Sequence, residues 1–194
     1  MDSWESYVAA IGTGLSSLAI TDKRGQALSA AEGFGRWVKS THELQARGQH
    51  IYLIGNGASA AMASHFAADA CKNGGLRAQA FNDGALLTCT GNDLAFDQVF
   101  ALPLTRFARA GDMLIAISSS GNSPNIVRAL EVARGLGVGV VTLTGMRADN
   151  KARALGDLNF YVPLSRYGWA ESAHQVVLHY WFDRYQDVHG PGAI

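Results

Sequence analysis

The sequence predicts an α/β fold: a three-layer sandwich with a five-stranded parallel sheet and helices on both faces. Short, nearly continuous apolar runs alternate with segments whose apolar residues recur at helical spacing. Loops rich in glycine and serine follow two of these runs, and ligands of open parallel sheets bind where the strands end. The expected architecture is therefore doubly wound, with its site at the carboxyl edge of the sheet.

Two amphipathic helices are predicted before the first strand, one ending near Ile20 and one from about Gln26 to Ala46. A minimal α/β unit needs neither of them. We expect them to cover one face of the sheet or to pack against another subunit.

The strands and helices of the core follow in alternation. The five strands are predicted at 51–54, 78–81, 113–117, 138–143 and 158–162. The helices between and after them are predicted at 58–70, 84–89, 94–109 with a break near Pro103, 124–135 and 169–185. Residues 91–93 are predicted as a turn and residues 189–194 as a frayed end.

Composition indicates one domain over residues 1–194, with helices in 1–46 and the α/β core in 47–194. Charged residues make up 16% of the chain and the formal net charge is zero, so neither nucleic acid nor a membrane is an expected partner. Cys71 and Cys89 suggest neither a metal pair nor a disulfide framework. No basic segment precedes an apolar run near Met1, so the expected location is the cytoplasm.

A serine-rich turn follows the third predicted strand. Ser118, Ser119 and Ser120 end the run, and Ser123 before Pro124 is typical of a helix N-cap. Hydroxyls and free backbone N–H groups then meet at the positive end of a helix dipole, which favours an anion. A phosphate monoester fits this site best. The alternative is a turn that only caps a helix.

The loop after the first strand, GNGASA at 55–60, partly matches a dinucleotide-binding fingerprint. Asp83 is a poor candidate for the acidic residue that would hold a ribose, so no nucleotide cofactor is expected. The other interpretation is that Asn56, Gly57 and Ser59 hold a sugar phosphate together with the serine-rich turn. A serine hydrolase is disfavoured, because GNSPN at 121–125 lacks the closing glycine of a nucleophile elbow.

Two helices offer histidine and carboxylate at helical spacing. His65 and Asp69 are one turn apart, and Glu171, Gln175 and His179 form a stripe on the last helix. These groups could bind a divalent metal or act as a proton-transfer pair. The alternative is that they have a structural role, as an ion pair or as a core histidine whose hydrogen bonds are made within the fold. Spacing alone does not establish that the two helices meet.

The motif set resembles the sugar isomerase (SIS) domain family, a flavodoxin/Rossmann-like fold. The motifs occur in the family's order: GNGAS at 55–59, HFAAD at 65–69, GND at 91–93, ISSSGNS at 117–123 and VTLTG at 141–145. Within the family, the sequence is most similar to the bacterial phosphoheptose isomerases, over nearly the whole chain.

The resemblance implies a homotetramer with active sites shared between subunits, and one zinc ion per subunit. It implies that the serine-rich turn binds phosphate, and that Asn56, Ser59 and Asp93 lie near the sugar. Asp69 is the expected base and His179 the expected acid. The expected metal ligands are His65, Asp69, Glu171 and His179.

The chain departs from the family pattern at two of these positions. The family usually has glutamate where this chain has Asp69, and glutamine where it has Glu171. Aspartate keeps the carboxylate on a shorter side chain, whereas Glu171 adds a negative charge that a bound cation would offset. These changes are compatible with a compensated site, with a different phosphosugar or with loss of catalysis.

The function implied is an aldose–ketose isomerase of carbohydrate metabolism. It would convert sedoheptulose 7-phosphate to D-glycero-D-manno-heptose 7-phosphate by proton transfer through an enediol. The alternatives are a non-catalytic SIS protein that binds a phosphosugar or docks a protein, like the relative that associates with a replication initiator, and an isomerase of another sugar phosphate. Ionisable groups at all four predicted positions favour an enzyme.

Overall fold

The computed structural model describes residues 3–190. The end of the predicted frayed tail, residues 191–194, lies outside the described residues. The helices of this range are α1 (Trp4–Ser16), α2 (Ala30–Ala46), α3 (Ala58–Lys72), α4 (Gly84–Asp93), α5 (Ala101–Phe107), α6 (Pro124–Gly135) and α7 (Tyr167–His189). The strands are β1 (Ala19–Asp22), β2 (Ala27–Leu28), β3 (His50–Gly55), β4 (Arg77–Ala80), β5 (Met113–Ser118), β6 (Gly139–Thr144) and β7 (Leu158–Tyr161).

The strands form one sheet in the order β2-β1-β7-β6-β5-β3-β4. The five strands from β3 onward are parallel, which confirms the predicted parallel core. The chain reverses its direction of winding between β3 and β5, because β4 is added outside β3 and the later strands on the other side. This switch point is where open α/β sheets place their ligands.

Two short strands between the N-terminal helices were not predicted. β1 pairs antiparallel with both β7 and β2, so the sheet is mixed and has seven strands. The first helix ends at Ser16 rather than near residue 20. In the hairpin that follows, Asp22 Oδ1 accepts hydrogen bonds from the backbone N–H groups of Arg24 (2.8 Å) and Gln26 (3.0 Å). Pairing with distant β7, not local periodicity, makes residues 19–22 a strand.

The segment before β5 also departs from prediction. Residues 91–93 form the last turn of α4 instead of a loop, and the Leu94 N–H donates to the Thr90 carbonyl at 3.1 Å. Thr90 is buried, so packing overrides the turn propensity of glycine, asparagine and aspartate. The helix predicted at 94–109, with a break near Pro103, is a 3₁₀ turn (Phe96–Gln98) followed by α5, so the break comes before residue 101. Pro103 lies in the first turn of α5, where a missing N–H costs little.

Apolar side chains cover both faces of the sheet. On β3, Ile51 and Leu53 face the side of α2, α3 and α7, whereas Tyr52 and Ile54 face the side of α5 and α6. Successive residues of a strand point to opposite faces, so a strand buried on both sides must be apolar throughout. The three-layer prediction is confirmed.

Within residues 3–190 we find no helix long and apolar enough to cross a membrane.

Helices α2 and α7 meet through a polar contact inside an aromatic interface. The rings of Trp37 and Trp181 stack with centroids 4.5 Å apart. Beside them, Trp181 Nε1 donates to Thr41 Oγ1 at 3.2 Å, and that hydroxyl donates to the Trp37 carbonyl at 2.9 Å. The indole N–H of a buried tryptophan usually finds such a partner.

Replacing Thr41 by valine should therefore destabilise the fold. Thr41→Val keeps the shape of the side chain but leaves the buried Trp181 N–H unpaired, at a cost of about 1–3 kcal/mol in the free energy of unfolding. Urea unfolding followed by tryptophan fluorescence measures it. Ser40→Ala, an exposed change on the same helix, is the control. Equal midpoints for both variants would contradict the assigned role of Thr41.

Candidate active site

Two loops meet at the switch point of the sheet. The first follows β3 and leads into α3, and the second follows β5 and leads into α6. Gly55 pairs with Ile117 in the parallel ladder, so both chains leave the sheet side by side. The glycine-rich and serine-rich loops of the sequence are therefore neighbours, as predicted.

Glycine is required twice in the first loop, for different reasons. A Cβ on Gly55 would lie 2.6 Å from the Ser59 backbone carbon, so only glycine lets α3 start this close to β3. Gly57 has φ +56° and ψ −124°, a conformation that residues with a side chain rarely adopt. No side chain caps the α3 N-terminus that follows. Within the first turn, the Ser59 and Ala60 N–H groups donate to the Asn56 and Gly57 carbonyls, each at 3.0 Å.

A reciprocal pair of amides ties the two loops together. Asn56 Nδ2 donates to Asn125 Oδ1 at 3.0 Å, and Asn125 Nδ2 donates to Asn56 Oδ1 at 2.8 Å. Asn125 Oδ1 also accepts the Ile126 N–H at 3.0 Å. Asn125 is 1% exposed, so this pair fixes the spacing between the starts of α3 and α6. Asn125 was missed from the sequence, since it looked like an ordinary first-turn residue after Pro124.

The serine-rich turn is closed by its own hydroxyls. Ser118 Oγ accepts the Gly121 N–H at 3.2 Å, and Ser120 Oγ accepts the Asn122 N–H at 3.3 Å. Each hydroxyl keeps its own proton for a bond to a ligand. Ser123 is the N-cap of α6 but makes no side-chain capping bond, so it too can turn to a ligand.

These groups line a cavity of about 130 Å³ at the edge of the sheet. Its lining residues are Asn56, Ser59, Ile117, Ser118, Ser119, Ser120, Ser123, Tyr167 and Glu171. Hydroxyls, amides and two helix N-termini suit a small anion. Tyr167 was not foreseen, because it belongs to the start of α7, one turn earlier than Glu171.

A second cluster lies where α3 and α7 pack together. His65 Nε2 and Asp69 Oδ2 are 3.2 Å apart, and Asn73 Nδ2 donates to Asp69 Oδ1 at 3.3 Å. Across the interface, the rings of His65 and His179 have centroids 5.8 Å apart. The structure therefore brings together three of the predicted residues, and shows that the two helices meet.

His179 is exposed, although the apolar sequence around it predicts a buried helix. Its ring packs edge-on against Phe66, with centroids 4.8 Å apart. Gln175 Nε2 lies 3.1 Å from His179 Nε2, so the amide N–H donates and this ring nitrogen accepts. Gln175 thereby fixes the orientation of the His179 ring.

The predicted four-ligand metal set is not assembled in this chain. Among residues 3–190, no three His, Cys, Asp or Glu side chains are grouped so that they could hold a metal ion. Glu171 lines the serine cavity, whereas His179 lies two helical turns, or about 12 Å, further along α7. The described residues of a single chain therefore do not form the predicted zinc site.

Asp93 is not brought to the cavity. It ends α4 as an exposed residue and accepts a hydrogen bond from Asn92 Nδ2 at 2.8 Å. The resemblance placed it near the sugar, and its side chain does not line the cavity in the single chain.

A family model for the SIS domain matches residues 30–145. The chain belongs to the SIS domain family. It is 45% identical to the phosphoheptose isomerase of Aliarcobacter butzleri over 122 residues, which are 60% of this chain and 64% of that protein. It is 38% identical to the phosphoheptose isomerase of Nitratidesulfovibrio vulgaris (strain Hildenborough) over 140 residues, 69% of this chain and 67% of that protein.

Among solved structures, the phosphoheptose isomerase of Neisseria gonorrhoeae superimposes with a TM-score of 0.81 at 30% identity, covering 95% of both chains. The phosphoheptose isomerase of Francisella tularensis gives a TM-score of 0.80 at 25% identity, covering 95% of this chain and 94% of that one.

The amide pair gives a first test of the site. Asn125→Leu removes both hydrogen bonds to Asn56, whose exposed amide can turn to water, so the free energy of unfolding should fall by about 1–3 kcal/mol, the net contribution of two hydrogen bonds. Chemical denaturation measures the loss. Combining Asn125→Leu with Asn56→Ala should cost clearly less than the sum of the two single changes. Full additivity would show that the two residues do not act as a pair.

His174 gives a second test, through pH. Its ring is fully buried, and desolvation lowers its pKa from 6.5 to about 4, although the nearby Thr144 backbone opposes the shift. Between these values the unfolded chain binds a proton that the folded chain does not. Stability is therefore greatest above the unfolded pKa and falls as the pH drops toward 4, by on the order of 3 kcal/mol.

Urea unfolding at about pH 7 and about pH 4.5 compares the wild type with His174→Gln. The glutamine variant cannot titrate and should lose less stability over this interval. Equal losses would contradict the low pKa of His174.

Proposed function

We propose that this chain is a phosphoheptose isomerase, an aldose–ketose isomerase that interconverts sedoheptulose 7-phosphate and D-glycero-D-manno-heptose 7-phosphate. One observation carries the proposal. Helices α3 and α7 both begin at the serine cavity, where Ser59 and Glu171 lie, and meet again further along at His65, Asp69 and His179. An anion site and an acid/base cluster thus share the same two helices.

The distance between the two places favours a long sugar. His65 lies six positions after Ser59 on α3, which corresponds to about 9 Å along the helix. His179 lies eight positions after Glu171 on α7, which corresponds to about 12 Å. A phosphate in the cavity therefore lies well away from the acid/base cluster. In a seven-carbon 7-phosphate, the reacting carbons C1 and C2 are at the end opposite the phosphate. A shorter sugar phosphate would reach less far.

Proton transfer follows from the two side chains of the cluster. The Asp69 carboxylate, oriented by His65 and Asn73, removes a proton from C1 of the open-chain ketose. The electron pair forms the enediol double bond between C1 and C2. His179 supplies a proton to the carbonyl oxygen at C2. Returning a proton to C2 while the C1 hydroxyl loses its own then gives the aldose.

Glu171 has a separate task in this proposal. It lines the cavity with the serines, and no Lys or Arg is among the described lining residues. Its carboxylate would repel a phosphate, but it is well suited to accept hydrogen bonds from the sugar hydroxyls. We therefore assign Glu171 to the sugar rather than to the phosphate group.

Three further expectations stay predictions. Zinc binding is implied by the family resemblance, and the donors of one chain do not make a site. The homotetramer is implied by the family resemblance, and a groove between α2 and α7, where Phe34 and the exposed Tyr180 lie beside Lys39 and Arg184, offers a surface for another subunit. The cytoplasmic location rests on the sequence.

A coupled assay with sedoheptulose 7-phosphate tests the activity, with zinc added and with chelator. The wild type should form an aldoheptose phosphate. Substrate binding without conversion would favour the non-catalytic phosphosugar-binding protein, and conversion of only a pentose or hexose phosphate would overturn the heptose assignment.

The roles of the acid and the base are tested by Asp69→Asn and His179→Ala. Each should lower kcat by about 100- to 10,000-fold, the usual contribution of a general acid or base, with the fold retained by circular dichroism. Glu131→Gln, the same kind of change at an exposed carboxylate on α6, should leave kcat unchanged. Near-normal turnover in both site variants would show that other groups move the proton.

A further inference from the structure

Polar atoms without hydrogen-bond partners lie buried behind the serine-rich turn. They are Ser119 Oγ, Thr144 Oγ1 and both ring nitrogens of His174. Thr144 is 0% exposed and His174 is 1% exposed, so solvent does not reach these groups. Buried polar atoms are nearly always paired, and a set without partners at one place needs an explanation.

The backbone brings the three residues to one junction. Ser118 pairs with Thr144 in the parallel ladder of β5 and β6, and the next residue, Gly145, donates its N–H to the Ser119 carbonyl at 3.0 Å. A Cβ on Gly145 would lie 3.2 Å from the Ala170 Cβ and 3.3 Å from the Ser119 oxygen. Helix α7 therefore rests directly on the turn.

His174 follows Ala170 by one helical turn, so both lie on the same face of α7. The Thr144 backbone is close enough to influence the ring, yet the contact lacks the geometry of a hydrogen bond. A neutral imidazole offers one N–H donor and one acceptor nitrogen, and each hydroxyl can rotate to donate or accept. The donors and acceptors of this cluster match one another.

We propose that His174 is a positioning residue: rotation of the Thr144 and Ser119 side chains would pair their hydroxyls with its neutral ring, and this linkage holds the serine-rich turn in the shape that receives a phosphate. The inference rests on the proposed function, because it takes this turn as the phosphate site. His174 itself does not touch the ligand, since it is buried behind the turn.

This role of His174 predicts that its loss weakens phosphate binding but changes kcat little. Loss of the ring nitrogens leaves the turn less firmly held, so phosphate binding weakens. The acid/base cluster lies further along α3 and α7 and keeps its geometry, so kcat at saturation changes little. A purely structural role would lower the amount of folded protein and leave the affinity of the folded fraction unchanged.

The experiment titrates inorganic phosphate into the purified wild type, His174→Phe and His174→Gln by calorimetry, and measures kcat and KM for sedoheptulose 7-phosphate. Phenylalanine fills the space without polar atoms, and glutamine restores a donor and an acceptor. We expect His174→Phe to weaken phosphate binding and raise KM about tenfold, with kcat within about twofold, and His174→Gln to recover most of the affinity.

Two controls separate this role from general destabilisation. Thr41→Val removes a buried hydrogen bond to α7 on its other side and should leave phosphate affinity unchanged. Ser119→Ala should weaken binding, and adding His174→Phe to it should cause little further loss, because both changes break the same linkage.

Several results would overturn the inference: unchanged affinity in His174→Phe, an equal loss in Thr41→Val, or full additivity of Ser119→Ala and His174→Phe. If His174→Phe does not fold, Thr144→Val takes its place, and unchanged affinity there counts equally against the inference. If the wild type binds phosphate but converts no sugar, the proposed function is wrong and the role of His174 still stands. If the wild type binds no phosphate, both the proposed function and the role of His174 are wrong.

Discussion

The side-by-side exit of β3 and β5 from the sheet is the constraint on which the site depends. The two strands are not consecutive in the chain, yet Gly55 and Ile117 pair in register, so the loops that follow emerge together. The reciprocal amide bonds between Asn56 and Asn125 then fix the starts of α3 and α6 against each other. Because Asn125 is buried, its amide cannot exchange Asn56 for water without a cost.

The described residues that line the cavity include no lysine or arginine. In the proposed phosphate site, the hydroxyl groups and the dipoles of α3 and α6 would therefore act at short range. Such a site costs little reorganisation on binding. In the proposed site, the Glu171 carboxylate in the same cavity would favour neutral hydroxyl groups beside the phosphate.

Helix α7 contributes residues to the cavity, to the layer behind the serine-rich turn and to the contact with α3. Its first turns supply Tyr167 and Glu171 to the cavity, its buried face sets His174 behind the serine-rich turn, and its middle carries Gln175 and His179 to α3. The aromatic contact between Trp37 and Trp181 anchors the same helix to α2. Helix α7 therefore contributes side chains both to the cavity and to the cluster with His65.

The sequence by itself determined the parallel core, the bounds of α6, and the two loops at the carboxyl edge, since apolar runs, Pro124 and the serines are local signals. Only the tertiary structure decided the rest. It paired residues 19–22 with β7, buried Asn125 and His174, joined His65 to His179, and separated Glu171 from them. These outcomes depend on which distant surfaces meet. Spacing along one helix fixes the face a residue occupies, but not the neighbour that face will contact.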